Sequence, residues 1–136
     1  MDHEKMLAAV QGYFDNFNAQ NAQGIADLYA QDATVTDPYA TPSKTGKDEI
    51  LAFYTAAVKS GSRLVQQGPT RIAGNRAAFA FTVYVGGLSS ESKAVDIEMP
   101  MGAMEIDVID TFEFNDAGEV TAMTAYWDPK VNLRQV

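Results

Sequence analysis

The sequence contains no cysteine and a single histidine, His3, which lies close to the amino terminus. The lack of cysteine excludes disulfide bonds, thiolate nucleophiles and zinc sites built on sulfur. A Ser-His-Asp catalytic triad is excluded because the sequence has no interior histidine. The carboxylates show no metal-ligand spacing, and no glycine-rich phosphate-binding loop precedes a helix. We therefore expect no metal site, and the residues left for chemistry are carboxylates and tyrosines.

Positive charge is also scarce, since 10 Lys and Arg stand against 18 Asp and Glu. The net charge of −8 argues against nucleic acid and anionic membrane surfaces as partners. No apolar run approaches the length that crosses a bilayer, and the charged start MDHEKM resembles the first turn of an amphipathic helix more than a signal peptide. These features predict a cytoplasmic protein without membrane or nucleic-acid partners.

The 136 residues, 46% of them hydrophobic, suffice for one core and predict a single domain over 1–136. Apolar spacing predicts three helices, over 4–20, after the capping residue Asn21, and over 47–59. The string DATVTDP predicts a short extended piece between the second helix and the third. Strands are predicted over 62–73, 76–86, 104–114 and 119–127, with turns at 74–75 and 116–118. Helices followed by antiparallel strands indicate an α+β domain, with helices on one face of a sheet.

The segment Gly86–Gly102 does not fit this pattern well. It is too long for a tight hairpin, and its second half alternates Val95, Ile97 and Met99 with polar residues or proline. One interpretation is a strand extension or an irregular insertion. The other is an apolar flap over the mouth of a cavity, because long excursions from a compact domain are often functional.

Asp110 is the most informative residue of the chain. Within Met104–Phe114 (MEIDVIDTFEF) it falls in register with the apolar residues of an alternating strand. A carboxyl group that faces a core keeps its proton unless it is paired, because the buried charge costs several kcal/mol or more. Asp110 is then either a structural acid bonded to the backbone or a neutral hydrogen-bond donor in a dry site.

Two further residues are candidates for chemistry. Asp37 ends the predicted extended piece and is followed by Pro38, a pair that also simply begins turns. Tyr13 lies on the buried stripe of the first helix, where a tyrosine is also an ordinary core residue with a satisfied hydroxyl group. Neither residue decides the function alone.

Together these residues carry a resemblance to a known family. Tyr13 precedes Asp37 by 24 residues, and the matching strings are DATVTDP (32–38), GKDEILAFY (46–54), RAAFAF (76–81), DVID (107–110) and AYW (125–127). From about Tyr13 to Trp127 the chain resembles the bacterial Δ5-3-ketosteroid isomerases, which are NTF2-like proteins. The resemblance implies an α+β cone in which three N-terminal helices pack on a curved, mostly antiparallel sheet. The segment Gly86–Gly102 is longer than the corresponding connection in that family, which affects the expected substrate preference more than the reaction.

The resemblance also implies roles for individual residues. Tyr13 and a protonated Asp110 would form an oxyanion hole, and Asp37 would move a proton between C4 and C6 of a 3-oxo-Δ5-steroid. Ketosteroid isomerases are the established case of a carboxylic acid kept neutral by an apolar site. Tyr54 and Tyr29 would hydrogen-bond behind the oxyanion tyrosine.

The remaining implications concern the ligand and the assembly. The steroid body would lie against five apolar or aromatic side chains: Phe81, Val108, Phe112, Met123 and Trp127. No cofactor is implied, and a homodimer is expected. Two alternatives remain open. One is another NTF2-like enzyme, of the polyketide cyclase, dehydratase or epoxide hydrolase type. The epoxide hydrolase type needs an arginine between two carboxylates, and the sequence does not indicate that Arg63, Arg71 or Arg76 occupies that position. The other is a non-catalytic protein that binds an apolar ligand.

Overall fold

The computed structural model describes residues 2–136 as three helices and eight strands. The helices are α1 (His3–Asn18), α2 (Ala22–Ala26) and α3 (Lys47–Val58). The strands are β1 (Tyr29–Thr36), β2 (Lys44–Thr45), β3 (Arg63–Gln66), β4 (Arg71–Ala73), β5 (Arg76–Val85), β6 (Met104–Phe114), β7 (Val120–Tyr126) and β8 (Leu133–Gln135). The predicted α+β class is confirmed: the helices pack on a mixed, mostly antiparallel open sheet that forms an NTF2-like cone.

The helices begin where the sequence places side-chain caps. Asp2 accepts a hydrogen bond from the Lys5 amide, and Asn21 accepts one from the Gly24 amide, so both satisfy otherwise unpaired N–H groups of a first helical turn. The buried stripe of α1 contains Met6, Ala9, Val10, Tyr13, Phe14 and Phe17. Its period matches that of an α-helix, and the stripe therefore turns Tyr13 toward the sheet.

The sheet has the strand order β2-β1-β7-β6-β5-β3, with β4 paired to β5 and β8 paired to β6. Strand β1 runs parallel to β7, and the other pairs are antiparallel. The long strands β5 and β6 form the middle of the sheet, and Asp110 is paired with Phe79 on one side and Ala125 on the other. This register places Asp110 in the centre of the sheet, on the face that the helices cover.

The strands of the structure differ from the predicted ones in three main ways. The strand predicted over 62–73 is interrupted, because Gly68 adopts a positive φ of 86° and Pro69 follows it, so β3 and β4 pair separately with β5. Strand β1 begins at Tyr29, earlier than the predicted extended piece. The strands β2 and β8 were not predicted, since two or three residues carry too little periodicity to detect.

The segment Gly86–Gly102 contains no regular secondary structure, so its interpretation as a strand extension is wrong. Lys44 of β2 forms an ion pair with Asp96 in this segment, with 2.7 Å between Nζ and Oδ2.

No helix within residues 2–136 is long and apolar enough to cross a membrane.

Candidate active site

An apolar cavity lies between the helices and the covered face of the sheet. It encloses about 760 Å³ of atom-free space, a figure that includes the open space at its mouth. Its polar lining includes Tyr13, Asp37, Tyr54 and Asp110. The cavity therefore brings both predicted carboxyl groups and the predicted oxyanion tyrosine to one site.

Asp110 is buried in the wall of this cavity, with 1% of its surface exposed. Neither carboxyl oxygen has a hydrogen-bond partner among residues 2–136. Burial raises the pKa of the Asp110 carboxyl well above its usual value, the negative charge of Asp37 adds to the rise, and the Tyr13 hydroxyl opposes it. Burial therefore favours the protonated, neutral form of Asp110, and its polar atoms have no hydrogen-bond partner among residues 2–136.

Asp37 occupies a different environment, just beyond the end of β1. It is half-buried, and the indole nitrogen of Trp127 donates a hydrogen bond of 2.8 Å to its Oδ1. Burial raises the pKa of Asp37 to about 6, and the bond from Trp127 opposes this rise. Asp37 is therefore mainly ionised at neutral pH and gains a proton under mildly acidic conditions.

Three tyrosines cluster beside Asp110. Tyr54 lines the cavity together with Tyr13, and their ring centroids lie 5.9 Å apart. Tyr29 does not line the cavity but lies behind it, with its hydroxyl oxygen 2.6 Å from that of Tyr54. Burial raises the pKa of all three phenols well above the usual value. At neutral pH the three phenols are therefore protonated and able to donate hydrogen bonds.

The arrangement separates two chemical roles within one apolar cavity. Tyr13 and Asp110 both carry protons that can be donated to a ligand oxygen, whereas Asp37 offers a carboxylate that can accept a proton. Carboxyl groups whose environments push their pKa values in different directions or by different amounts commonly divide acid and base roles between them. A carboxylate that can accept a proton beside two groups that can donate hydrogen bonds is a set suited to moving a proton next to a carbonyl group.

Three of the five side chains expected to contact a ligand lie at the cavity wall. Phe81, Val108 and Trp127 line the cavity. Phe112 and Met123, which were also expected to contact the ligand, do not line the cavity: they face each other on β6 and β7 and are packed in the core. Phe112 lies two residues beyond Asp110 on the same face, where the ring of Tyr13 covers it with 5.6 Å between the ring centroids.

Several lining residues were missed by the sequence analysis. The segment Gly86–Gly102 contributes six of them: Leu88, Ser92, Lys93, Ala94, Val95 and Met99. The alternation of Val95, Ile97 and Met99 had suggested an apolar flap over the mouth of a cavity, and Val95 and Met99 do line the cavity. Ser60 and Ser62, between α3 and β3, also line the cavity and carried no recognisable sequence signal.

The fold and the site define an NTF2-like α+β domain with a helix-covered cavity of carboxyl and phenol groups. The SnoaL-like domain family matches residues 10–123, and the chain belongs to this family. A steroid Delta-isomerase of Nocardioides simplex is 31% identical over 127 residues, which cover 92% of this chain and 91% of that protein.

A solved structure gives a second comparison. The epoxide hydrolase/cyclase-like enzyme SalBIII, described in pyran ring formation of the polyether salinomycin, superimposes with a TM-score of 0.82. The match covers 99% of this chain and 98% of the other, at 17% sequence identity. At this identity the likeness shows a shared fold, and a shared fold carries many different activities.

Proposed function

We propose that this protein is a steroid Δ-isomerase that converts 3-oxo-Δ5-steroids to 3-oxo-Δ4-steroids without a cofactor or metal. The observation that carries the proposal is the buried Asp110 carboxyl group, which has no partner among residues 2–136 and lies in the same cavity as Tyr13 and Asp37. A neutral acid of this kind has a use where a ligand oxygen gains negative charge. The similarity to a steroid Delta-isomerase supports the same conclusion.

In the proposed reaction the Asp37 carboxylate removes a proton from C4, which is acidic because it lies beside the C3 ketone. The electron pair of the broken C–H bond moves toward the C3 oxygen and forms a dienolate. Asp37, now protonated, returns the proton to C6 on the same face, and the double bond shifts into conjugation with the ketone. Asp37 ends the cycle as a carboxylate, so protons and electrons balance without another reactant.

Tyr13 and Asp110 would stabilise the dienolate oxygen. Each donates one hydrogen bond that strengthens as negative charge develops, in a site where little water competes. Tyr54, held from behind by Tyr29, supports the position of the Tyr13 ring. The bond from Trp127 would keep the Asp37 carboxylate aimed into the cavity, and makes Trp127 a positioning residue.

An epoxide hydrolase or polyketide cyclase of the same fold is the second candidate, favoured by the likeness to SalBIII. A hydrolase of this type needs an arginine between two carboxylates to orient water. No arginine lines the cavity in the part of the chain that the structure describes. The isomerase is therefore the better-supported enzyme, and a non-catalytic binder of an apolar ligand is the alternative from another class.

The direct test incubates the protein with 5-androstene-3,17-dione and follows the ultraviolet absorbance of the conjugated enone product. We expect catalysed formation of the enone, abolished in a Tyr13→Phe/Asp37→Asn double variant purified in parallel. A rate equal to that of buffer alone would contradict the isomerase and leave the binder or the hydrolase. Turnover of an epoxide substrate under the same conditions would identify the hydrolase instead.

We further propose a homodimer formed through the outer face of the sheet. Exposed apolar side chains are grouped there, with Ile109 and Tyr126 paired across β6 and β7 and Tyr39 stacked on Tyr126. Apolar groups clustered on an exposed face favour association. Sedimentation equilibrium tests this directly, with Ile109→Lys as the variant expected to be monomeric.

A further inference from the structure

The segment Gly86–Gly102, here called the flap, forms the wall of the cavity at its mouth. Six of its residues line the cavity, and Lys93 among them is the only exposed lining residue in the part of the chain that the structure describes. The side chains of Leu88, Val95 and Met99 are half-buried and pack against the core. Solvent therefore reaches the cavity beside the flap, and a rigid apolar ligand has to pass the flap to enter or leave.

Few contacts fasten the flap to the domain. Two hydrogen bonds join it to the rest of residues 2–136. One is donated by the side-chain amide of Gln135 to the carbonyl oxygen of Met101, at the carboxyl end of the flap. The other belongs to the ion pair between Lys44 and Asp96. A segment without regular structure and with so few hydrogen bonds opens at low free energy, and this ion pair is the polar contact that holds its middle.

The ion pair connects the flap to the strand that leads into Asp37. Lys44 lies on β2 opposite Val35 of β1, two residues before Asp37. Neither Lys44 nor Asp96 lines the cavity, so the pair makes no contact with a ligand there. The two side chains are 27% and 47% exposed, and an ion pair that water reaches contributes little to stability. The contact is therefore weak enough to break and re-form repeatedly.

Two consecutive glycines, Gly86 and Gly87, join the flap to β5. Neither has a positive φ, and a Cβ atom added to either would meet no atom within 4 Å. The closed flap therefore requires glycine at these positions neither for its conformation nor for space. The property of glycine that remains is the freedom of its backbone, which suits a hinge.

We propose that the flap is a gate, which turns at Gly86 and Gly87 and is held closed by the ion pair between Lys44 and Asp96. The two charged residues are positioning residues, since they act through the flap. The proposal rests on the proposed function in that the cavity takes the steroid. The closed flap would keep water from the dienolate oxygen, where the stabilising hydrogen bonds act most strongly in a dry site.

The rates of ligand exchange test the gate. Trp127 is the only tryptophan of the chain and lines the cavity, so its fluorescence on rapid mixing with estradiol, a phenolic steroid, reports binding. Lys44→Met and Asp96→Asn should each raise the association and dissociation rate constants by about 2- to 5-fold, the effect of one exposed ion pair. The dissociation constant should not change, because the pair favours the closed flap equally with and without ligand. Unchanged rate constants, or faster dissociation with weaker binding, would overturn the gate.

A second ion pair provides the matched control. Arg76 and Glu113 lie 3.7 Å apart on β5 and β6, and neither lines the cavity, so Arg76→Met should leave both rate constants unchanged. The charge reversal Lys44→Glu/Asp96→Lys should restore the wild-type rates that Lys44→Glu alone accelerates. Failure to restore them, in a folded protein, would overturn the role of the pair. High salt should accelerate exchange in the wild type but not in Lys44→Met, because salt screens exposed charges.

The hinge predicts a change of opposite sign. Gly87→Ala should slow association and dissociation by about 2- to 5-fold, because alanine restricts the backbone of the open flap. The dissociation constant should again stay the same. Equal or faster exchange would overturn the hinge at these glycines. Thermal unfolding checks that each variant is folded, and the salt dependence of the wild type tests the ion pair without any substitution.

Turnover distinguishes this inference from the proposed function. Enone formation by a protein whose exchange rates ignore the ion pair would overturn the gate alone. Faster exchange in the Lys44 and Asp96 variants of a protein that forms no enone would overturn the isomerase and retain the gate. A wild-type protein that does not bind estradiol would overturn both.

Discussion

Asp37 and Asp110 carry the same side chain and line the same cavity, yet their surroundings differ. Asp37 lies at the end of a strand, half-buried, with a hydrogen bond from Trp127. Asp110 lies in the middle of a central strand, fully buried, with no partner among residues 2–136. Burial raises the pKa of both: to about 6 for Asp37, where the bond from Trp127 opposes the rise, and well above the usual value for Asp110, where the charge of Asp37 adds to it. The two identical side chains therefore meet different electrostatic environments, as the proposed division between a base and an acid requires.

The largest expected effect comes from removing the base. Asp37→Asn should lower kcat by about 10²- to 10⁴-fold, the usual contribution of a positioned general base. Binding of a phenolic steroid should persist, because the cavity wall keeps its shape. Steady-state kinetics with calorimetry on the same preparation checks both. A variant that retains more than about a tenth of the wild-type kcat would mean that Asp37 is not the group that takes the proton.

Removing one donor should cost nearly as much. Tyr13→Phe is expected to lower kcat by about 10²- to 10³-fold with little change in KM, because the lost bond is strongest in the transition state. Tyr84→Phe is the matched control, since Tyr84 is an exposed residue of β5 that does not line the cavity. A Tyr13 effect confined to KM would show that this ring only shapes the pocket.

Two substitutions of Asp110 distinguish a hydrogen-bond donor from a base. Asp110→Ala removes the donor and should cost up to ~2.7–4 kcal/mol of transition-state stabilisation, while Asp110→Asn keeps a neutral donor and should cost less. If Asp110 instead acted as a carboxylate base, as proposed for Asp37, the Asp110→Asn variant would be as slow as the Asp110→Ala variant. Measuring kcat of both variants side by side distinguishes the two roles.

The smallest effect concerns the partner of Asp37. The bond from Trp127 favours the carboxylate, so Trp127→Phe should raise the Asp37 pKa above about 6. Because the base works when ionised, kcat/KM of the wild type should be half-maximal near that pH and fall toward acid. The variant should move this acidic limb upward by about one pH unit, the lower range for a bond to a charged group. An unchanged acidic limb of the kcat/KM profile would show that a group other than Asp37 controls it.

The sequence was sufficient to predict the class of fold and the strand that carries Asp110. Eleven residues of alternating polarity, Met104–Phe114, are a strong periodic signal, and the predicted bounds match β6. The short strands β2 and β8 could not be predicted, because their pairing depends on tertiary contacts. The resemblance also placed Phe112 and Met123 against the ligand, but a residue on the covered face can belong to the core as readily as to the cavity.

The partners of the site depend on distant parts of the chain. The bond between Trp127 and Asp37 joins residues 90 positions apart, and the one between Tyr29 and Tyr54 spans 25. The hydrogen bonds of Ser60 to Ala57 and Ser62, just beyond the end of α3, are likewise not predictable from a residue pattern. Identity of the candidate residues could be inferred from sequence, whereas their hydrogen-bond geometry required the fold.

The protonation state of Asp110 at neutral pH tests the account most directly. Infrared difference spectra between the wild type and Asp110→Asn, recorded at pH 7 in an Asp37→Asn background, isolate this carboxyl group from the other acid of the cavity. The account predicts that the substitution removes the carbonyl band of a protonated carboxylic acid. Removal of a carboxylate band instead would show that Asp110 is ionised, and would contradict its role as a neutral donor.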